Sequence, residues 1–192
     1  MDQQQLIVAA ILVLAFVAIA VIWYAMRQRR REALRERFGP EYDHVVRQEG
    51  DADRAERVLN DRQQRVEQLH VRPLRAQDAA AFRERWRAVQ ARFVDDPRGA
   101  VSDADDLIGQ AMEARGYPVG DFEQRAADVS VEHPQVVSDY REAHAIARRP
   151  AQKTGTEELR RAMVHYRALF AELVGAGTRP GERVEEREEQ LR

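Results

Sequence analysis

Two Glu-x-x-His spacings, Glu41 to His44 and Glu67 to His70, are the first residues in this chain whose types and separation could do chemistry. Three residues is nearly one helical turn, so each pair would set a carboxylate and an imidazole on one face, as in carboxylate-bridged di-iron bundles. That chemistry also needs a lone glutamate from each of two further core helices, and both pairs must sit on long facing helices. Here Glu41 follows a Gly39-Pro40 break, and His70 ends a helix rich in surface residues. In a chain with five histidines and 33 carboxylates, two such spacings arise by chance. No metal ligand set and no cofactor is expected.

A second concentration runs from Tyr117 to His144, where Asp121, Glu123, Asp128, Glu132, His133, Asp139 and His144 gather around a loop and two helix starts. His133 is expected beside a helix N-terminus, where unpaired backbone N–H groups attract anions. Read functionally, Tyr117, Asp121, Glu123, Glu132 and His133 form a binding surface. The plainer reading is capping. Asp121 with Gln124 three residues later has capping-box spacing, and Pro134 suits the first turn of the next helix.

Other chemistries lack their residues. There is no P-loop, GxGxxG, HExxH, GxSxG or EF-hand spacing. Cysteine is absent, which removes thiol nucleophiles, thiolate zinc sites and disulfides together. His165 adjoins Tyr166 with no serine or carboxylate arranged around it, and Phe82, Trp86 and Phe93 read as a core stripe. No catalytic residue is expected. The net charge of −2 carries no global bias toward nucleic acid, although charged residues make up 33% of the 192.

The elements that would position these side chains begin with an unbroken apolar run, Leu6 to Met26. At about 1.5 Å per residue it matches a hydrocarbon core of roughly 30 Å. Leu6 and Phe16 lie within it, and Trp23 and Tyr24 stand at its end, where amphipathic rings favour the headgroup layer. Arg27, Arg29, Arg30 and Arg31 follow, while ahead of the run stand only Met1, Asp2 and three glutamines. The expected topology is single-pass in the inner membrane, N-terminus outside and soluble domain in the cytoplasm, with the arginines at the lipid surface. A cleaved signal peptide is the alternative. Ala18 and Ala20 have its small-x-small spacing, but Val21, Ile22 and Trp23 follow where a polar mature start belongs.

Beyond the span, residues 27–38 read as a basic juxtamembrane helix ended by Gly39-Pro40, and 41–72 as charged amphipathic helices. Ala55, Leu59, Val66 and Leu69 make a heptad-like stripe that Arg62 interrupts, which calls for a partner helix in cis or from a second copy through 51–69. Residues 73–174 carry helical periodicities throughout. Phe82, Trp86, Val89 and Phe93 mark one helix, and a second runs from about Ala100 to a Gly116 stop. A short helix follows Asp121, and another runs from Pro134 to Arg149. The last is capped by Thr156 and carries Leu159, Met163, Tyr166, Phe170 and Leu173. Residues 175–192 are a disordered charged tail by composition. No segment alternates with period two. The expected fold is all-α: one N-terminal transmembrane helix (1–26) followed by a soluble multi-helix bundle.

The blocks RERFGPEYD (35–43), RWRAVQARFVDDP (85–97), RGYPVGDFEQRAADVSVEHP (115–134) and AMVHYRALFAELV (162–174) resemble a family of uncharacterised bacterial proteins with one membrane helix and a soluble helical region. The resemblance implies that 35–174 is one unit and carries no activity to transfer. The resulting expectation is a membrane-tethered, non-enzymatic interaction module with membrane lipid and an unidentified protein as partners. The alternative is a metal- or anion-binding sensor or enzyme using 117–144.

Overall fold

The computed structural model describes residues 3–118 and 120–175, with side chains from residue 12 onward. The Leu6 side chain, Val119 and the charged segment 176–192 lie outside these described residues. Among the described residues there are eight α-helices, one 3-10 turn and no strand. They are α1 Gln3–Phe38, α2 Pro40–Glu49, α3 Ala52–Gln68, α4 Ala76–Arg92, α5 Pro97–Arg115, α6 Phe122–Glu132, α7 Val137–Ala147 and α8 Thr156–Gly175.

No glycine or proline interrupts residues 6–38, so the apolar span and the basic helix after it form one rod, α1. Gly39-Pro40 ends it, and α2 folds back. Gly50 then caps α2 in the left-handed region at φ 69°, its N–H bonding the Val46 carbonyl at 2.9 Å. A side chain at that φ would crowd its own carbonyl, so glycine suits the turn. Asp51 caps α3 by accepting from the Arg54 N–H at 2.9 Å. The chain thus runs down α1, up α2 and down α3. The N-terminal turn of α3 comes beside Arg27 and Arg31, level with the end of the apolar span.

Two apolar clusters follow from this path. The first joins Leu34 and Phe38 of α1 to Tyr42 and Val45 of α2, Ala55, Leu59 and Val66 of α3, and Val131 of α6. The stripe on α3 therefore finds its partner in cis. The second and larger cluster packs α4, α5, α7 and α8 around Leu107, Ile108, Tyr140, Ile146, Tyr166 and Leu169. Helix α6 spans both, sending Val131 to the first and Ala126 and Val129 to the second.

Four expectations shift. Arg62 does not interrupt the α3 stripe from outside; it is buried within it, at 8% exposure. Helix α5 begins at Pro97, because Asp96 caps it through the Gly99 N–H at 2.9 Å. Helix α8 begins at Thr156 itself; the Gly155 N–H donates to Glu158 Oε2, which reaches back to it at 3.1 Å. Helix α6 runs on to Glu132, and α7 starts only at Val137. The reason is Pro134, whose ring pushes the preceding residue out of the helical region. His133 has φ −128° and ψ 54° and closes α6 through its N–H to the Val129 carbonyl at 2.9 Å. His133 is a C-cap. It does not stand at a helix N-terminus, so the anion-binding rationale drawn from that position falls away.

Candidate functional site

The loop after α5 and the end of α6 bring Tyr117, Glu132 and His133 together around Arg115, which is 4% exposed. The Tyr117 hydroxyl donates to Glu132 Oε2 at 2.7 Å, and Arg115 donates to the same oxygen at 3.0 Å. Arg115 Nη1 lies 3.0 Å from His133 Nε2. A guanidinium has only donors, so Nε2 accepts and the imidazole proton sits on Nδ1, which faces Glu172 Oε2 at 3.4 Å. Burial first, and the Arg115 charge second, hold His133 below its ordinary pKa. Burial pushes the Tyr117 phenol well above its own, with Glu132 adding to the shift.

Asp121 and Glu123 stand apart from that cluster. Asp121 accepts from the Gln124 N–H at 2.9 Å and caps α6. Glu123 pairs with Arg141 at 3.0 Å. Of the five residues expected to form one surface, three meet around Arg115 and two do local work at the other end of α6. His144 stacks flat on Phe122, with ring centroids 3.6 Å apart. Among the described residues, no group of three or more His, Asp or Glu is arranged to hold a metal ion.

Glu41, the carboxylate of the first Glu-x-x-His pair, has a different task. It is 2% exposed, and its Oε1 accepts from Arg62 and Arg141, each at 2.8 Å. With Glu123 on the far side of Arg141, two carboxylates and two guanidiniums alternate across α3, α2, α7 and α6. A carboxylate already held by two guanidiniums in this way is neutralised as a metal ligand. The second pair is no better placed, since His70 is in a left-handed turn at φ 51° and Glu67 accepts from Gln63 at 2.9 Å.

Where α1 leaves its apolar stretch, the basic run divides by face. Arg27 and Arg31 both hold Asp53, and Arg31 also meets Glu56 at 2.8 Å. The Arg27 guanidinium lies over the Trp23 ring, 5.2 Å from its centroid. Arg29 and Arg30 have no ion-pair or hydrogen-bond partner among the described residues. Two of the four arginines expected at the lipid surface therefore clamp α3 to α1 as well.

An apolar indentation of the bundle lies between α4 and α8. Trp86 and Phe170 stack at its floor, with centroids 4.6 Å apart and planes at 17°. Ala171 and Val174 continue the floor, and Arg83, Arg87 and Arg167 rim a space of about 450 Å³. A shallower extension runs over Phe93 and Met163 to Arg160. Arg83 and Arg167 have no carboxylate partner among the described residues. Trp86 was legible from sequence as part of a core stripe, and Phe170 as part of the inward face of the last helix. That the pair floors a groove with a basic rim depends on α8, whose arginines are eighty residues distant.

Comparison of the chain with protein-family models, with curated proteins and with solved structures finds no match.

Proposed function

We propose that this protein is a single-pass, membrane-tethered interaction module whose helical domain works in the cytoplasm, without catalysis. Its docking site is the α4/α8 groove, and the segment it takes is acidic with an apolar face. One observation supports the tether above all. Of the thirteen large apolar side chains exposed among the described residues, eleven lie on α1 between Leu12 and Met26. A continuous exposed apolar surface of that size is untenable in water and natural in lipid. The same helix then supplies Leu34 and Phe38 to the first core, so the span belongs to the folded unit. That continuity favours an anchor over a discarded signal sequence. The arginines on the domain side of the span favour the cytoplasmic orientation.

The groove has the chemistry of a helix-in-groove site, with an aromatic floor for apolar anchors and two guanidiniums that have no carboxylate partner among the described residues. Tethering raises local concentration at the membrane, so even a shallow groove suffices.

Two measurements test the reading. A green fluorescent protein fused at the C-terminus is expected to fluoresce in intact cells, and alkaline phosphatase at the same point to stay inactive; the reverse pattern overturns the orientation. A photoreactive residue at Gln90 is expected to crosslink an acidic protein segment in cells, lost in Arg83→Glu/Arg167→Glu. The same residue at exposed Asp61 on α3 should not crosslink it. Equal crosslinking from both positions would overturn the groove.

A further inference from the structure

A second opening lies at the membrane end of the molecule, between α1 and α3. It measures about 710 Å³ and is lined by Arg27, Arg30 and Arg37 from α1, with Asp53, Glu56 and Arg57 from α3. The two carboxylates are already taken by Arg27 and Arg31. Arg30, Arg37 and Arg57 have no partner among the described residues. An otherwise slightly acidic chain thus concentrates three unneutralised guanidiniums in one groove. All three guanidiniums are exposed, so water screens their mutual repulsion, and each is open to an anion that enters the groove.

The groove's position says which anion. Arg30 is seven residues past Trp23, about 10 Å along a helix axis. The headgroup layer begins at the level of Trp23 and Tyr24. Because α3 starts beside Arg27 and Arg31, both helices have their N-terminal ends toward the bilayer. Side chains on a helix lean toward its N-terminus, so Arg30 and Arg57 lean toward the lipid. Arginine's planar fork also matches phosphate oxygens in pairs.

We propose that the α1/α3 groove binds the phosphate of an anionic phospholipid headgroup, gripped by Arg30 and Arg57. Arg37 lines the same groove on its side away from the bilayer. The site rests on the tethered reading, since it needs α1 in the bilayer. It differs from simple attraction of a basic run to an anionic surface, because it uses Arg30 and spares Arg29, its neighbour at the same depth.

The test uses the full chain in mild detergent and native mass spectrometry with three probes: dioleoyl phosphatidate, dioleoyl phosphatidylcholine and inorganic phosphate. Phosphatidate is expected to be retained about tenfold over phosphatidylcholine, as a charge-assisted pair of contacts worth about 1.4 kcal/mol would give. Arg30→Gln/Arg57→Gln should lower retention to the phosphatidylcholine level, while Arg29→Gln should leave it unchanged. Equal losses from Arg29→Gln and Arg30→Gln would overturn the groove in favour of diffuse surface charge. Inorganic phosphate bound with the same arginine dependence would make it a free-anion site. A polyglutamate peptide that binds where phosphatidate does not would make it a protein site, and either result overturns the lipid assignment. Carbonate extraction of native membranes checks the tether separately. A chain released by carbonate fails the tether, whereas a chain retained without selective phosphatidate binding fails only the groove.

Discussion

Glu41 on α2 and Arg141 on α7, a hundred residues apart in the chain, meet in a 2.8 Å ion pair. The same Glu41 oxygen accepts from Arg62 on α3. One carboxylate thereby ties the α2/α3 hairpin to the α4–α8 bundle, across the boundary between the two apolar clusters. Without such a tie, a loose hinge there would let the two clusters swing against each other.

Removing that carboxylate is expected to be costly. Glu41→Ala leaves two guanidiniums facing each other with little water, and breaking a buried pair in this way costs about 3–5 kcal/mol. Glu123→Ala, at the exposed end of the chain of charges, should cost within about 1 kcal/mol. Urea unfolding of the full protein in micelles measures both. Equal effects from the two variants would show that the Glu41 link is not the one that matters.

Acid should weaken the fold through its histidines. Burial holds His133, His44 and His144 below the ordinary value of 6.5. The neutral form is therefore favoured in the folded state. Above 6.5 both states are neutral and stability is full. As pH falls below 6.5 the unfolded chain takes protons that the folded one resists, and stability declines. His133→Gln should flatten part of that decline, read as urea midpoint against pH. Stability that rises on acidification through this window would contradict the assignment.

The Asp53 clamp is expected to control motion more than stability. Arg27 first, then Arg31, hold the Asp53 carboxyl below its ordinary pKa, and both pairs are partly open to solvent. Asp53→Asn should leave the melting temperature nearly unchanged. It should broaden the distance distribution between spin labels at Gln28 and Asn60 in nanodiscs. A distribution as narrow as in the unaltered protein would assign the rigidity to the α1/α2/α3 core alone.

Trp86 reports on the groove floor. Phe170→Ala in a Trp23→Phe background removes its stacking partner, and loss of a buried aromatic ring costs about 3–5 kcal/mol. Trp86 emission should shift to longer wavelength even below the unfolding transition. Arg83→Glu/Arg167→Glu changes only the rim and should leave both emission and stability in place. Stability lost in the rim variant would mean that those arginines serve the fold.

What could be read from sequence alone was whatever a single segment contains. The apolar run 6–26, the inward faces of α5 and α8, and the Asp121 cap each depend on residues within a few turns of one another, where periodicity and cap chemistry act. The breaks were legible for the same reason at Gly39-Pro40 and Gly116. Pro134 misled only because its effect on His133 outweighed its own suitability for a first turn.

Only the tertiary structure decided where the charges go. Arg62 looks like a flaw in an apolar stripe until α2 delivers Glu41 to it from 21 residues away. Arg27 and Arg31 read as lipid-facing until α2 folds back and sets Asp53 beside them. Trp86 becomes the floor of a groove only when α8 lies across it. Ion pairs and grooves are made between helices, by the angle and register at which those helices pack. No local pattern of residue types encodes that arrangement, because it is set by how all the apolar faces are satisfied at once.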